Sequence, residues 1–123
     1  MGCEIKVSED GKYIIQIVTG DLTGKLMMEY NLKSHALGRE LDINRFLVDV
    51  TKSRNVDPPT KNFSFARYDL IKNPGIDPSA RVAAIVSPGD KSHDFIETVF
   101  QDRGQDITLF TDRRQAIRYL LKD

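Results

Sequence analysis

The spacing of apolar residues divides the chain into short and longer segments. Residues 3–7 (CEIKV) and 13–18 (YIIQIV) are rich in strand-forming residues, and they flank the turn sequence SEDG. Its Asp10-Gly11 pair is a strong hairpin signal, because glycine adopts a positive φ at little cost. The pattern therefore predicts an antiparallel hairpin at the start of the chain.

The period of the pattern changes after the hairpin. Apolar side chains now recur at helical spacing, at Leu22, Leu26, Tyr30, Leu37 and Leu41, with Met27 beside them. We predict a helix from Thr23 to Leu37, with Gly38 as its C-terminal cap. His35 is expected on the exposed face of this helix.

Residues 45–50 (RFLVDV) form the next predicted strand, because their side chains alternate between two faces. Phe46, Val48 and Val50 share one face, which we assign to the core. Asp49 lies on the other face, close to the predicted end of the strand.

A second helix and a fourth strand are predicted after the polar loop TKSRNVDPPT. The helix is marked by four apolar residues: Phe63, Ala66, Leu70 and Ile71. It is expected to end before Pro74-Gly75. Residues 80–88 (ARVAAIVSP) are apolar at nearly every position, as in a strand covered on both faces, and we predict this to be the middle strand.

The last third of the chain repeats the alternation. A third helix is marked by Phe95, Ile96, Val99 and Phe100, and a fourth by Ala116, Ile117, Leu120 and Leu121. Between them, residues 106–110 (DITLF) form the last predicted strand. Asp112 and Gln115 are spaced as in a capping box at the start of the fourth helix.

The predicted order of elements is ββαβαβαβα. Strands that alternate with helices pair in parallel through right-handed crossovers, and the hairpin adds antiparallel pairing at one side. The prediction is a single α/β domain over residues 1–123, with a mixed, mainly parallel sheet of about five strands and four helices.

Charge and cysteine content narrow the function classes. The 18 basic and 18 acidic residues balance, so the electrostatic footprint of a nucleic-acid-binding protein is missing. The single cysteine, Cys3, forms no internal disulfide and lacks the spacing of a metal site. No apolar run reaches the length of a membrane span. We expect a cytoplasmic protein.

Three stretches resemble the SpoIIAA-like branch of the STAS (sulfate transporter and anti-sigma factor antagonist) fold, which is related to the lipid-binding Sec14 domain. They are GDLTGKLMMEY after the hairpin, FLVDVT at the strand that carries Asp49, and FTDRRQAIRYLL near the C-terminus. The resemblance implies a SpoIIAA-like fold and, for a bacterial regulatory member, docking to a kinase or an anti-sigma factor.

The resemblance also implies a phosphorylation switch. In regulatory members, phosphorylation of a serine at a helix start abolishes docking, because the phosphate adds nearly two negative charges to a packed interface. The usual Asp-Ser-Ser-Gly stretch is replaced here by DPPTKNFSFAR, where Thr60 and Ser64 are the nearby hydroxyls. The alternative is that Thr60 caps the helix and Ser64 is a surface residue.

Asp49 is a candidate site residue, because α/β sheets place binding sites at the carboxyl ends of parallel strands. Catalysis would require a second group for proton transfer or for activating a nucleophile, and the sequence assigns none. The structural alternative, in which Asp49 accepts hydrogen bonds from the loop that follows it, is favoured.

A second candidate is the loop SPGDKSHDF. Gly89, Lys91 and Ser92 near a helix start could bind an anion, although the P-loop spacing is absent. The alternative is a plain loop in which Asp90 or Ser92 caps the helix. Consecutive Ser92, His93 and Asp94 cannot form a catalytic triad among themselves, because neighbouring helical side chains diverge.

These observations predict a non-catalytic regulatory domain that docks to another protein, with homodimerisation as a further expectation. The predicted contact surface combines residues 60–73 with residues 87–92. The alternative is a carrier of a lipid or nucleotide, and an enzyme ranks last. No metal site, cofactor or nucleic-acid partner is expected.

Overall fold

The computed structural model describes residues 2–56, 75, 79–94 and 106–122. Five strands of one sheet lie in this part of the chain: β1 (Gly2–Val7), β2 (Ile14–Leu22), β3 (Arg45–Asn55), β4 (Arg81–Ile85) and β5 (Asp106–Phe110). Two helices are described with them: α1 (Gly24–Leu41) and α2 (Arg113–Leu121). The other two predicted helices, which were placed around residues 63–71 and 95–100, fall outside the described residues.

The strands follow one another across the sheet in the order β1-β2-β3-β4-β5. β1 pairs antiparallel with β2, and the remaining neighbours pair in parallel. The hairpin closes through Ser8, whose N–H donates to the Tyr13 carbonyl at 2.9 Å, and Gly11 takes the positive φ of 72° that the turn requires. The predicted mixed, mainly parallel sheet of five strands is confirmed.

The prediction of the middle strand was wrong. β3, not the strand that begins near residue 80, lies at the centre of the sheet. β3 is 11 residues long and continues five residues beyond its predicted end at Val50. Its second half alternates exposed residues such as Lys52 and Arg54 with less exposed ones, so its polar composition resembled a loop.

The end of α1 also differs from the prediction. The helix continues to Leu41, and Asp42 adopts the left-handed conformation at φ 58° that ends it. Gly38 lies inside the helix, where an added Cβ would come within 2.5 Å of the Ile43 carbonyl oxygen and 3.0 Å of the Phe46 ring. This glycine is required for close packing rather than for capping.

His35 is buried, contrary to the expectation that it is exposed. Only 7% of the residue is accessible, and its ring stacks on Phe46 with centroids 4.4 Å apart. Because the last turn of α1 is drawn close to β3 at Gly38, the His35 ring is covered.

The core lies on both faces of the sheet. Val48 and Val50 of β3 pack with Met27 on the α1 face, while Leu47 packs with Leu120 on the α2 face. The α1 face also contains buried Gln16, whose side-chain oxygen accepts a hydrogen bond from the Ser34 hydroxyl. At the start of α2, the Asp112 carboxylate accepts from the Arg114 N–H at 2.8 Å, which makes Asp112 the N-cap residue of the helix.

Gly38→Ala should destabilise the protein. The steric conflict with a backbone carbonyl is expected to cost about 1–3 kcal/mol, which exceeds the helical advantage of alanine of about 1 kcal/mol at most. Urea unfolding of the variant measures the change. Glu40→Ala, at an exposed position in the same turn, is the matched control and should stay within about 0.5 kcal/mol of the parent. A stabilised Gly38→Ala protein would contradict the packing role.

Candidate functional site

The carboxyl edge of the parallel strands contains most of the candidate residues. Pairing between β3 and β4 ends at Asp49 opposite Ile85, and Ile85 in turn lies opposite Phe110 of β5. Beyond this line, within the ranges that the structure describes, only β2 and β3 continue, as a two-stranded extension in which residues 19–22 pair with residues 52–55. Asp49 therefore lies where the full sheet ends and the extension begins.

An irregularity in β3 marks this position. Ile17 lies opposite Asp49, but the next recorded pair is Thr19 with Lys52, so β3 has one residue more than β2 across this interval. One Asp49 carboxylate oxygen, Oδ1, accepts from the Thr51 N–H at 2.9 Å and from the Thr51 hydroxyl at 2.7 Å. The Asp-x-Thr motif thus stabilises a β-bulge, a common feature next to functional sites. The predicted contacts are made, but within a strand rather than a following loop.

The second oxygen of the same carboxylate joins β3 to α2. Asp49 Oδ2 lies 3.1 Å from Nη2 of Arg113, the first residue of α2. The Asp49 side chain is 17% accessible and that of Arg113 is 48% accessible, so the acid is largely shielded while the guanidinium remains half exposed. Local sequence patterns do not indicate this pair, because 64 residues separate its members.

The loop after β4 is fastened to the β2–β3 extension. The Ser87 hydroxyl donates to the Thr51 carbonyl at 2.8 Å. At its other end, Ser92 accepts from the Asn55 N–H with its hydroxyl and from the Asn55 side-chain amide with its carbonyl, both at 3.2 Å. Ser92, predicted as an anion ligand or a cap, is thus a residue that holds the loop in place.

The tip of this loop is a tight turn. Gly89 adopts a φ of 85°, and the Asp90 N–H donates to the Ser87 carbonyl at 3.1 Å. The Asp90 carboxylate accepts from the Ser92 N–H at 2.9 Å, and this hydrogen bond is the main reason why the pKa of Asp90 lies below its ordinary value. Pro88, Gly89 and Lys91 are exposed at the tip.

An open cleft of about 480 Å³ lies beside the tip. Its lining residues are Arg54, Gly89, Asp90, Lys91 and Ser92. The structure therefore brings the three predicted loop residues together and adds Arg54 from the extension. The Asp90 carboxylate opposes the two cations, so the cleft combines both signs of charge.

His93 supports the loop from below. It is 1% accessible, and among the described residues its Nε2 atom finds no hydrogen-bond partner, as is also true of the buried Ser53 hydroxyl oxygen. Burial is the main cause of a pKa below the ordinary 6.5, although Asp90, the Ser53 backbone and Asp94 act in the opposite direction. The sequence predicted neither the burial nor the contact with the extension.

Thr60 and Ser64, the candidate phosphorylation sites, lie outside the described residues, so their role stays a prediction. Within the ranges that are described, no cluster of three or more His, Cys, Asp or Glu side chains is arranged to bind a metal ion. None of the described helices is long and apolar enough to cross a membrane.

Asp49→Ala should destabilise the fold more than Arg113→Ala does. The first change leaves the shielded Thr51 N–H without its acceptor, which costs about 1–3 kcal/mol, whereas the second removes only one half-exposed partner and should cost less than about 1 kcal/mol. Chemical unfolding of both variants and the parent gives the comparison. Equal losses would show that the ion pair, not the bulge, is the main contribution of Asp49.

His93 should make stability fall in mild acid. Since burial lowers its pKa in the folded protein, the unfolded chain binds a proton at a pH where the folded chain does not. This contribution is complete above about pH 6.5 and is lost as the pH falls toward the lower folded-state pKa. Unfolding free energies of the parent and His93→Gln, measured between about pH 7.5 and pH 5, should diverge in slope. Parallel curves would contradict the prediction.

One comparison with a solved structure supports the fold. No protein-family model and no curated protein matches the chain. An uncharacterised protein of the DUF3478 family with a SpoIIAA-like fold, from Shewanella loihica PV-4, is 18% identical over 97% of this chain and 92% of that chain, with a TM-score of 0.58. The STAS domain of an anti-sigma-factor antagonist from Rhodobacter sphaeroides is 15% identical over 89% and 85%, with a TM-score of 0.39. The protein has a SpoIIAA-like α/β fold, as its sequence motifs predicted.

Proposed function

We propose that this protein is a non-catalytic regulatory domain that docks to another protein through the carboxyl edge of its sheet. The docking surface is the loop of residues 87–92 together with residues 60–73, which the sequence analysis assigns to the same surface. The proposed location of the protein is the bacterial cytoplasm, in keeping with its balanced charge and its single cysteine.

The observation that carries the proposal is the way in which the loop is held. Ser87 and Ser92 fasten its two ends to Thr51 and Asn55, while Pro88, Gly89 and Lys91 remain exposed. A surface that is already ordered loses less conformational entropy when a partner binds. A rigid, exposed and charged turn is therefore suited to recognising another protein.

The hydrogen bonds and the ion pair of the Asp49 carboxylate support a non-catalytic role. Both oxygens of its carboxylate are occupied, one by Thr51 and one by Arg113. A general base must have a lone pair directed at the substrate proton. The contacts of Asp49 instead hold the bulge and the start of α2 in place.

Regulation by phosphorylation at Thr60 or Ser64 belongs to the same proposal. A phosphate at either hydroxyl would add close to two negative charges to the proposed docking surface. Such a charge would weaken docking of an acidic partner surface through repulsion and desolvation.

Affinity capture of the tagged protein from its native lysate tests the proposal. We expect a stoichiometric protein partner whose recovery falls at least about tenfold with Lys91→Glu, a loss of roughly 1.4 kcal/mol. Thr60→Asp and Ser64→Asp should reduce recovery in the same way if the switch operates. Lys12→Glu is the matched control, since it is an exposed lysine in the hairpin turn at the opposite end of the strands.

Two results would contradict the docking proposal. Equal recovery with Lys91→Glu and Lys12→Glu would exclude the loop as the docking surface. Recovery of the protein alone with a bound lipid or nucleotide, detected by mass spectrometry of the eluate, would replace the proposal by the carrier alternative.

A further inference from the structure

β1 is an edge strand with an unusually regular ladder. All six of its residues pair with β2 in one continuous register, from Gly2 opposite Thr19 to Val7 opposite Ile14. It contains no proline and no bulge, which are two of the features that commonly protect a sheet edge from pairing. No other strand of the described chain lies on its outer side.

The hairpin determines which backbone groups face outward. The Ser8 N–H donates to the Tyr13 carbonyl, so this pair is hydrogen-bonded. Since hydrogen-bonded pairs alternate along an antiparallel ladder, the N–H and C=O groups of Glu4 and Lys6 point toward β2. Those of Cys3, Ile5 and Val7 therefore point away from the sheet and are available to another strand.

The charges on β1 alternate with these outward-facing residues. Glu4 and Lys6 are exposed on the face that lacks α1, with side chains 63% and 52% accessible, and they form an ion pair at 3.4 Å. The intervening Ile5 belongs to a half-buried row on the α1 face: Cys3, Ile5 and Val7. The edge thus combines an apolar row on one face with one acid and one base on the other.

A second copy of the same strand complements this pattern in one register. If two β1 strands pair antiparallel about Ile5, each Glu4 lies opposite Lys6 of the second copy, and all three outward-facing residues take part in hydrogen-bonded pairs. Shifting the centre to Glu4 or to Lys6 places like charges directly opposite each other, which is destabilising. Centring on Cys3 or on Val7 would pair at most three residues of each β1 strand, so charge and overlap together select the arrangement about Ile5.

We propose that the protein forms a homodimer in which two β1 strands pair antiparallel about Ile5 and join the two sheets. The Glu4 and Lys6 side chains of both copies then form a ring of four alternating charges. Ile5 packs beside its symmetry mate, which extends the apolar row across the two-fold axis. This interface is independent of the proposed docking loop, because it uses the edge strand and not the carboxyl edge.

Charge exchange at the two positions tests the register. Sedimentation velocity over a range of concentrations should show a dimer for the parent chain and at least about tenfold weaker dimerisation for Glu4→Lys and for Lys6→Glu, which place like charges opposite each other. The double variant E4K/K6E should regain the affinity of the parent. Lys25→Glu, an exposed site on α1 with the same change of charge as Lys6→Glu, should have no effect.

Mixing the two single variants gives the sharpest result. One chain then has lysine at both positions and the other has glutamate at both, so the proposed register predicts a heterodimer from two chains that dimerise poorly alone. Circular dichroism serves as the control, and each variant should be folded, because the changes are at exposed side chains.

Cross-linking provides a second readout of the same register. Facing residues of a non-hydrogen-bonded pair have Cα atoms about 4.5 Å apart, within the range for a disulfide of about 4.4–6.8 Å. In a Cys3→Ser background, a mixture of Glu4→Cys and Lys6→Cys should cross-link faster than either variant alone. A monomeric parent, single charge variants that dimerise as well as the parent, or a mixture without heterodimer would each overturn the proposal.

Discussion

The Asp49 carboxylate determines how the carboxyl edge of this sheet is built. In a parallel sheet the strands usually end together, and the connections begin at the same level. Here β3 continues past its pairing with β4, and the change of register with β2 falls where Asp49 accepts two hydrogen bonds from Thr51. The same carboxylate holds Arg113 at the first turn of α2. One side chain thus orients both the extension of β3 and the start of α2.

The loop that we assign to docking depends on that extension. Thr51 and Asn55 provide the backbone groups that hold Ser87 and Ser92, so a β3 that ended at Val50 would leave the loop without support. The support has an energetic cost, because buried polar atoms of His93 and Ser53 find no hydrogen-bond partner in the described part of the chain. Such atoms are uncommon in stable cores, and here they belong to the two segments that the loop joins, its own end at His93 and the extension at Ser53.

Local patterns predicted the elements better than they predicted the contacts between them. The hairpin signal at Asp10-Gly11, the alternation of Phe46 with Val48 and the cap at Asp112 each depend on a few neighbouring residues, and all three are confirmed. Gly38 was assigned wrongly, because its role arises from the approach of Ile43 and Phe46. The same approach buries His35.

The full length of β3 was not predicted, for a related reason. Residues 51–55 (TKSRN) are polar on the exposed and on the less exposed side of the extension, and a wholly polar short segment indicates a loop unless the partner strand is known. The Asp49–Arg113 pair, across 64 residues, was equally inaccessible to local reasoning. The Asp-x-Thr motif was the local signal for the bulge, because its spacing allows the Asp side chain to accept a hydrogen bond from the backbone N–H two residues ahead.

The outer edge of β1 and the loop of residues 87–92 can both be used in one assembly. β1 is separated from β3 by β2, so its outer edge lies about 10 Å from the central strand, given the usual spacing of about 4.8 Å between strands. The loop after β4 lies farther still from β1 and projects beyond the strand ends instead of sideways from the sheet. A dimer joined through β1 therefore leaves both loops accessible. Because the two β1 strands run antiparallel, the second sheet is turned end for end and the two loops project from opposite edges of the joined sheet, so each loop binds its own partner molecule.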